Sequence, residues 1–191
     1  MVQVTAFHAL LTELGGLTGG TMARRVRARH TIGRDLLKGA IAGAVATFVM
    51  GKVTGYLYEH EDPDARREED DARGGRTAYE VAAEKAAAAA GTSLQTRRRR
   101  ELGSGIHWAL GIGAGAAYAL FRRRVQVFGG AAGTAFGTAF WAFLDEGLVP
   151  ALGLTPGPRA FPWQAHARGF VGHLTFGTVT DGTLRLLDRV A

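Results

Sequence analysis

No cysteine occurs among the 191 residues, which excludes disulfide scaffolds, thiolate metal centres and cysteine nucleophiles. Proline is scarce at five residues, and four of them, Pro150, Pro156, Pro158 and Pro162, fall in one short stretch. The rest of the chain is free to form long helices. Aromatic residues make up only 9%, and none interleaves the basic runs Arg97–Arg100 and Arg122–Arg124. Those runs therefore suit phospholipid headgroups better than bases, and no nucleic acid is expected. P-loop, Gly-x-Ser-x-Gly and zinc-protease patterns are missing, and the glycines at 111, 113 and 115 follow no strand. The first twenty residues lack a basic n-region, so they read as a surface helix or disordered arm rather than a signal peptide.

Glycine, by contrast, is abundant. It accounts for 28 residues, and many recur every fourth position within apolar stretches. One row reads Gly39, Gly43, Thr47, Gly51, Gly55, then Glu59. The others read Gly103, His107, Gly111, Gly115; Gly129, Gly133, Gly137, Trp141, then Asp145; and Gly169, His173, Gly177, then Asp181. In water each such glycine weakens a helix by about 1 kcal/mol relative to alanine. In a bilayer the same spacing lets helix backbones approach closely. Gly39, Gly43, Gly51, Gly55, Gly111, Gly115, Gly133, Gly137, Gly169 and Gly177 are therefore expected to be helix-packing positions. Four spans also leave spare glycine rows, from which a homo-oligomer follows as an expectation.

The uncharged stretches 102–121 and 125–144 are each about 20 residues, the length that crosses a hydrocarbon core. Residues 36–58 are long enough but contain Lys38 and Lys52, which can snorkel to the interfaces. Residues 161–187 form the most interrupted span, broken by His166, Arg168, His173 and Asp181. Mean hydropathy is only +0.02, because the segment 59–101 carries many of the acids and four consecutive arginines. The fold expected is all-α, a four-helix transmembrane bundle with a helical extramembrane insertion between the first and second spans. Its organisation is an arm at 1–35 and a membrane domain at 36–191 that includes the insertion at 59–101.

Within the insertion, Asp62 and Pro63 signal a helix start and Gly74-Gly75 its end. Thr77 and Glu80 have capping-box spacing and open an alanine-rich helix that stops at Gly91. Tyr79, Val81 and Leu94 are its expected docking points. The proline-rich stretch 150–162 is expected to be extended and rigid.

The formal charge is +6. Its basic groups at 24–38, 122–124 and 185–189 share one side of a four-span bundle, which the positive-inside rule makes cytoplasmic, with both termini. The same count of crossings brings Glu59, His60, His107, Asp145, Glu146, His166 and His173 to the opposite face, joined by Tyr56, Tyr58 and Trp108. Ionisable groups are costly in hydrocarbon and usually face a bundle interior or wet cavity. His107, Asp145, Glu146, His166 and His173 form a set suited to a divalent metal such as zinc, iron or manganese. It is equally suited to a proton relay, since histidine titrates nearest neutral pH. His166 and His173, seven apart, lie about 10 Å from one another along a regular helix, too far to share a metal without ligands from elsewhere. Packing roles remain open for each.

Asp145-Glu146, the run from Val149 to Leu154, the Leu-Thr-Pro turn at 154–156, Pro162-Trp163, His166 and Gly172-His173 together resemble the YagU-like bacterial inner-membrane proteins, a family of unknown function. The similarity extends to residues 39–48 and to His107-Trp108. It implies a multi-pass protein of the bacterial cytoplasmic membrane with an association with acid tolerance, and supplies no catalytic residues. The reading is an integral membrane protein, more in keeping with a non-enzyme, whose His/carboxylate cluster handles protons or binds a metal. The alternatives are a membrane-embedded metal-dependent enzyme and a soluble basic helical protein that binds nucleic acid.

Overall fold

A computed structural model of the chain describes residues 2–122 and 131–190, with side chains from Thr31 onward except at residue 132. Among these residues every regular element is helical. Helix α1 (Val2–Glu59) leads into the insertion helices α2 (Pro63–Arg73) and α3 (Ala78–Ala89), followed by α4 (Thr96–Phe121). Helix α5 (Ala132–Phe143) continues through a π-helical turn (Leu144–Leu148) into the short α6 (Val149–Ala151). A 3-10 turn at Pro158–Ala160 precedes α7 (Trp163–Arg189). The expected arm at 1–35 lies mostly outside the described side chains, and residues 125–130 and Gly129 lie outside the described residues.

The insertion folds as its punctuation dictates. The Asp62 carboxylate accepts from the Asp64 and Ala65 amides, Pro63 occupies the first turn, and Gly74 ends α2 in the left-handed conformation at φ 58°. At α3, Thr77 and Glu80 form the reciprocal capping box. The stretch 150–162 departs from expectation. Pro150 sits in the short α6, directly after the π turn, and Pro158 opens the 3-10 turn, where a first-turn proline forfeits no hydrogen bond. The connection is thus two tight turns rather than an extended strap.

Helix α1 packs against both α4 and α7, and α5 packs against α7. The glycine rows make two of these crossings. A methyl added at Gly39 would stand 2.6 Å from the Gly115 carbonyl oxygen, and one at Gly115 would stand 2.5 Å from that of Gly39; one at Gly43 would strike the Gly111 carbonyl oxygen, and one at Gly111 the Thr47 side chain. On the other side Gly133 faces Gly177 at 2.7 Å, and Gly137 lies against the His173 backbone. Rising numbers on one helix meet falling numbers on the other, so both crossings are antiparallel. Backbones this close leave no room for any side chain. Gly51 and Gly55 do not belong to this set: an added methyl there would meet open space, because α1 turns that face away from its described partners. Gly172, by contrast, is a packing position that the rows leave out, pressed by Thr54 and Met50.

Polar groups close both ends of the bundle. The Lys38 ammonium donates to the Leu187 carbonyl at 2.9 Å and to Asp188 at 3.1 Å, and Arg122 also bonds Asp188. At the other end Arg168 bridges Glu61 and Glu69 beneath the Tyr58 ring. Midway, Tyr118 donates to Asp181 at 2.9 Å.

One helical stretch among the described residues, Thr31–Glu59, is long and apolar enough to cross a membrane, with a window of mean hydropathy 1.5. Of that window 33% is buried.

Candidate functional site

The end of the bundle nearest the insertion holds a cavity of about 270 Å³. Its floor comes from α7, one wall from Trp141 and the π-helical turn, and the facing wall from Arg73 and Tyr79 of the insertion. Widening the helix at 144–148 lets the consecutive residues Asp145 and Glu146 both line the same cavity, and such single turns recur at functional sites.

Each carboxylate meets its own histidine on α7. His166 Nδ1 lies 2.7 Å from Glu146 Oε1, and its Nε2 lies 2.9 Å from the Pro158 carbonyl oxygen. Both ring nitrogens face acceptors, so the ring satisfies both only when it carries two protons. His173 Nδ1 is 3.0 Å from the Gly169 carbonyl oxygen and 3.5 Å from Asp145 Oδ2. The Phe140 ring stands edge-on to it at 5.3 Å. The four groups are thus two His–carboxylate pairs, their histidines two turns apart on α7, rather than one shared centre.

His107 does not line the cavity. Its ring rests against Tyr79 at 4.9 Å between centroids, so it backs the wall from α4. His60 stacks on Tyr56 at 4.1 Å and bonds that residue's carbonyl, away from the pairs. Tyr58 donates to Asp70 at 2.9 Å and takes part in the Arg168 network instead. Gly169 belongs to the site more than to packing. A methyl there would meet the Asp145 carboxylate at 3.3 Å and the Trp141 indole nitrogen at 3.4 Å, with no backbone in the way. Among the described residues no group of three or more histidine and carboxylate side chains converges as a metal would require.

Three lining residues were not singled out as site residues by the sequence: Arg73, Tyr79 and Trp141. Burial, with the Asp145 charge adding to it, pushes the Tyr79 phenol up to about 12, so it remains a protonated donor throughout the physiological range. Arg73 is held against Glu69 at 2.7 Å and lies over the Phe161 ring at 5.4 Å. The Trp141 indole nitrogen is buried with no hydrogen-bond partner. Trp141 did carry a signal, since it stands one turn before Asp145 in the third glycine row.

A second, open hollow of about 480 Å³ adjoins the first and shares with it Trp141, Glu146, Phe161 and His166. The Glu146–His166 pair therefore stands between the inner cavity and the surroundings.

No curated protein and no solved structure matches the chain. A family model does match, "Protein of unknown function (DUF1440)", over residues 82–182. That range runs from α3 through the paired carboxylates and both α7 histidines, in line with the YagU-like resemblance. Covering more than half of the chain, it places this protein in the DUF1440 family, whose function is unknown.

Proposed function

We propose that the chain is a four-helix integral protein of the bacterial inner membrane, with both termini cytoplasmic, that handles protons through its two His–carboxylate pairs. The membrane part of the reading is supported by where the apolar side chains lie. Leu37 and Phe48 on α1 are 63% and 56% exposed, Phe121 on α4 is 55% exposed, and Phe143, the last residue of α5, is 65% exposed. Leu186 on α7 is 61% exposed. Large apolar groups facing outward from every long helix need a non-aqueous surrounding. With α1, α4, α5 and α7 as the spans, the cavity lies at one membrane face and the Lys38–Arg122–Asp188 cluster at the other.

The observation that carries the proton reading is that adjacent carboxylates lining one cavity, Asp145 and Glu146, pair with different histidines, His166 at the cavity wall and His173 buried behind it. His166, with an acceptor at each ring nitrogen, is stabilised in its doubly protonated form, and histidine is the side chain that changes charge nearest neutral pH. The Glu146–His166 pair, facing both hollows, is the entry group, and Asp145–His173 is the inner one. Metal binding is the weaker reading, because each histidine has a single carboxylate and no third ligand beside it.

Proteoliposomes with a trapped pH-sensitive dye test this. After an external acid pulse, the wild type is expected to acidify the lumen faster than empty vesicles, and Glu146→Gln and Asp145→Asn to slow it. Equal rates for wild type, variants and empty vesicles would overturn the proton reading. Release of the protein from membranes by carbonate washing would overturn the membrane reading as well.

A further inference from the structure

Outward cations lie in two bands on α1 and α4. The antiparallel register that sets Gly39 against Gly115 and Gly43 against Gly111 brings Lys52 of α1 level with Leu102 of α4. At 1.5 Å per residue, Lys52 is then about 3–8 Å along the axis from Arg100 and Arg97. Lys52 is exposed, its ammonium rests 5.5 Å over the Phe48 ring, and no carboxylate of the described residues pairs with it. The side chains of Arg97, Arg98 and Arg100 are 91%, 65% and 73% exposed, whereas Arg99 turns inward to Glu84. Glu101 bonds both Arg97 and Arg98, and Glu80 comes within only 3.9 Å of Arg100, so the group keeps a positive excess. Glu59, also exposed, lies two turns beyond Lys52.

The second band is at the other end. Arg34 is exposed on α1, and Arg122 follows α4, paired with Asp188. From Arg34 to Lys52 is about 27 Å along α1, and from Arg100 to Arg122 about 33 Å along α4. Those lengths bracket the roughly 30 Å of a hydrocarbon core. Between the bands the large outward side chains are apolar, among them Ile41, Val45 and Phe48 on α1 and Leu110 and Leu120 on α4, while Lys38 is buried. Cations meeting water alone need no such spacing. Two bands one core thickness apart, around an apolar belt, match the two phosphate layers of a bilayer.

We infer that Lys52, Arg97, Arg98 and Arg100 dock on the phosphates of anionic phospholipids in the leaflet on the insertion's side. Guanidinium groups suit that partner, because each offers parallel donors to two phosphate oxygens. The inference rests on the membrane reading and adds to it a lipid class and a depth. The edge of the hydrocarbon crosses α1 at Lys52 rather than at its end. Gly172 of α7 packs against Met50 and Thr54, so His166, six residues earlier on α7, stands about 9 Å outside that edge. The Glu146–His166 pair is thereby set among the headgroups.

The test leaves Trp108 as the single tryptophan by Trp141→Phe and Trp163→Phe. Trp108 is 38% exposed and lies eight residues along α4 from Arg100, within reach of bromine atoms on lipid acyl chains. Quenching titrations in vesicles at fixed pH and low salt should give phosphatidylglycerol about fivefold higher affinity than phosphatidylcholine beside Trp108, the factor due to one cation near an anionic surface. Arg97→Gln, Arg98→Gln and Arg100→Gln together should bring that ratio to about one, with helicity unchanged. Arg34→Gln at the opposite band should leave it as it was. Depth is read separately with nitroxide labels, since the chain has no native cysteine. Labels at Lys52→Cys and Arg100→Cys should report one headgroup-level depth, and a label at Phe48→Cys a deeper one. Equal affinity for both lipids, a preference kept by the triple variant, or a label at residue 52 as deep as that at residue 48 would each overturn the inference. A chain that still resists carbonate washing would then retain the membrane reading, whereas release by carbonate would overturn both.

Discussion

Tyr118 on α4 donates its hydroxyl proton to Asp181 on α7 across 2.9 Å, and Arg185 holds the other carboxylate oxygen at 2.7 Å. Tyr118 and Asp181 are both buried, and the Phe136 ring of α5 stacks on Tyr118 at 4.6 Å. Three long helices are thereby joined around one carboxylate. Removing the hydroxyl by Tyr118→Phe keeps the ring contact and deletes only the bond. The expected loss is about 1.5–3 kcal/mol, the range for a hydrogen bond to a charged group, read as a lowered unfolding midpoint in detergent. An unchanged midpoint would mean that Asp181 is held by Arg185 alone.

The two glycine crossings predict a graded substitution series. Gly111→Leu and Gly133→Leu place side chains where Thr47 and the Gly177 backbone already lie, so the helices must separate. Loss of the compact species on size exclusion is expected. Gly51→Ala and Gly55→Ala meet nothing and should stabilise α1 by up to about 1 kcal/mol each through helix propensity. Equal behaviour of the two groups would deny the crossings described above.

Arg168 is nearly enclosed and paired with Glu61 and Glu69, which are themselves buried. Arg168→Ala strands Glu61 and leaves Glu69 to Arg73 alone, a loss on the order of 3 kcal/mol. It should appear as release of the insertion, measured by faster proteolysis between residues 59 and 76. Replacing Glu61 and Glu69 with glutamine in the same background should restore part of the protection.

Acid should loosen the insertion from α4. The Glu84 carboxyl is held below its ordinary range chiefly by the hydrogen bond from Arg99; slight burial opposes this, and Arg76 lowers it further. A carboxylate depressed in the folded state contributes stability that is complete above its unfolded value, about 4.3, and is lost as pH falls through the folded value. Asp188 behaves alike at the opposite end, where burial is outweighed by hydrogen bonds from Arg122 and Lys38. The unfolding midpoint of the wild type should therefore fall below about pH 4, and Glu84→Gln should flatten part of that slope.

Capping and punctuation were the most legible parts of the sequence. Asp62-Pro63, Gly74 and the Thr77–Glu80 pair act within four residues of themselves, so no tertiary information is needed to read them. The pairing of glycine rows was half legible. At 3.6 residues per turn a four-residue repeat drifts about 40° per step, so Gly51 stands about 120° round α1 from Gly39. Of this row's glycines Gly39 and Gly43 meet α4, while Gly51 and Gly55 meet nothing. Asp145, Glu146, His166 and His173 were readable as neighbours from the parity of the helices. Their division into two pairs was not, because it depends on the π turn, whose extra width has no local sequence signature. Trp141 and Tyr79 stood in legible positions, yet their joint presence at one cavity is set by docking of the insertion, a long-range event that periodicity does not record.

The Arg168 bridge has a bearing on biogenesis. Its carboxylate partners lie 107 and 99 positions earlier in the chain; Glu69 has Arg73 at hand, but during synthesis Glu61 emerges long before the cation it pairs with. The α2 end of the insertion therefore completes its ion pairs only when the last helix has been threaded. A chain stopped short of α7 would display an unquenched acidic corner, a flag by which incomplete copies differ from finished ones.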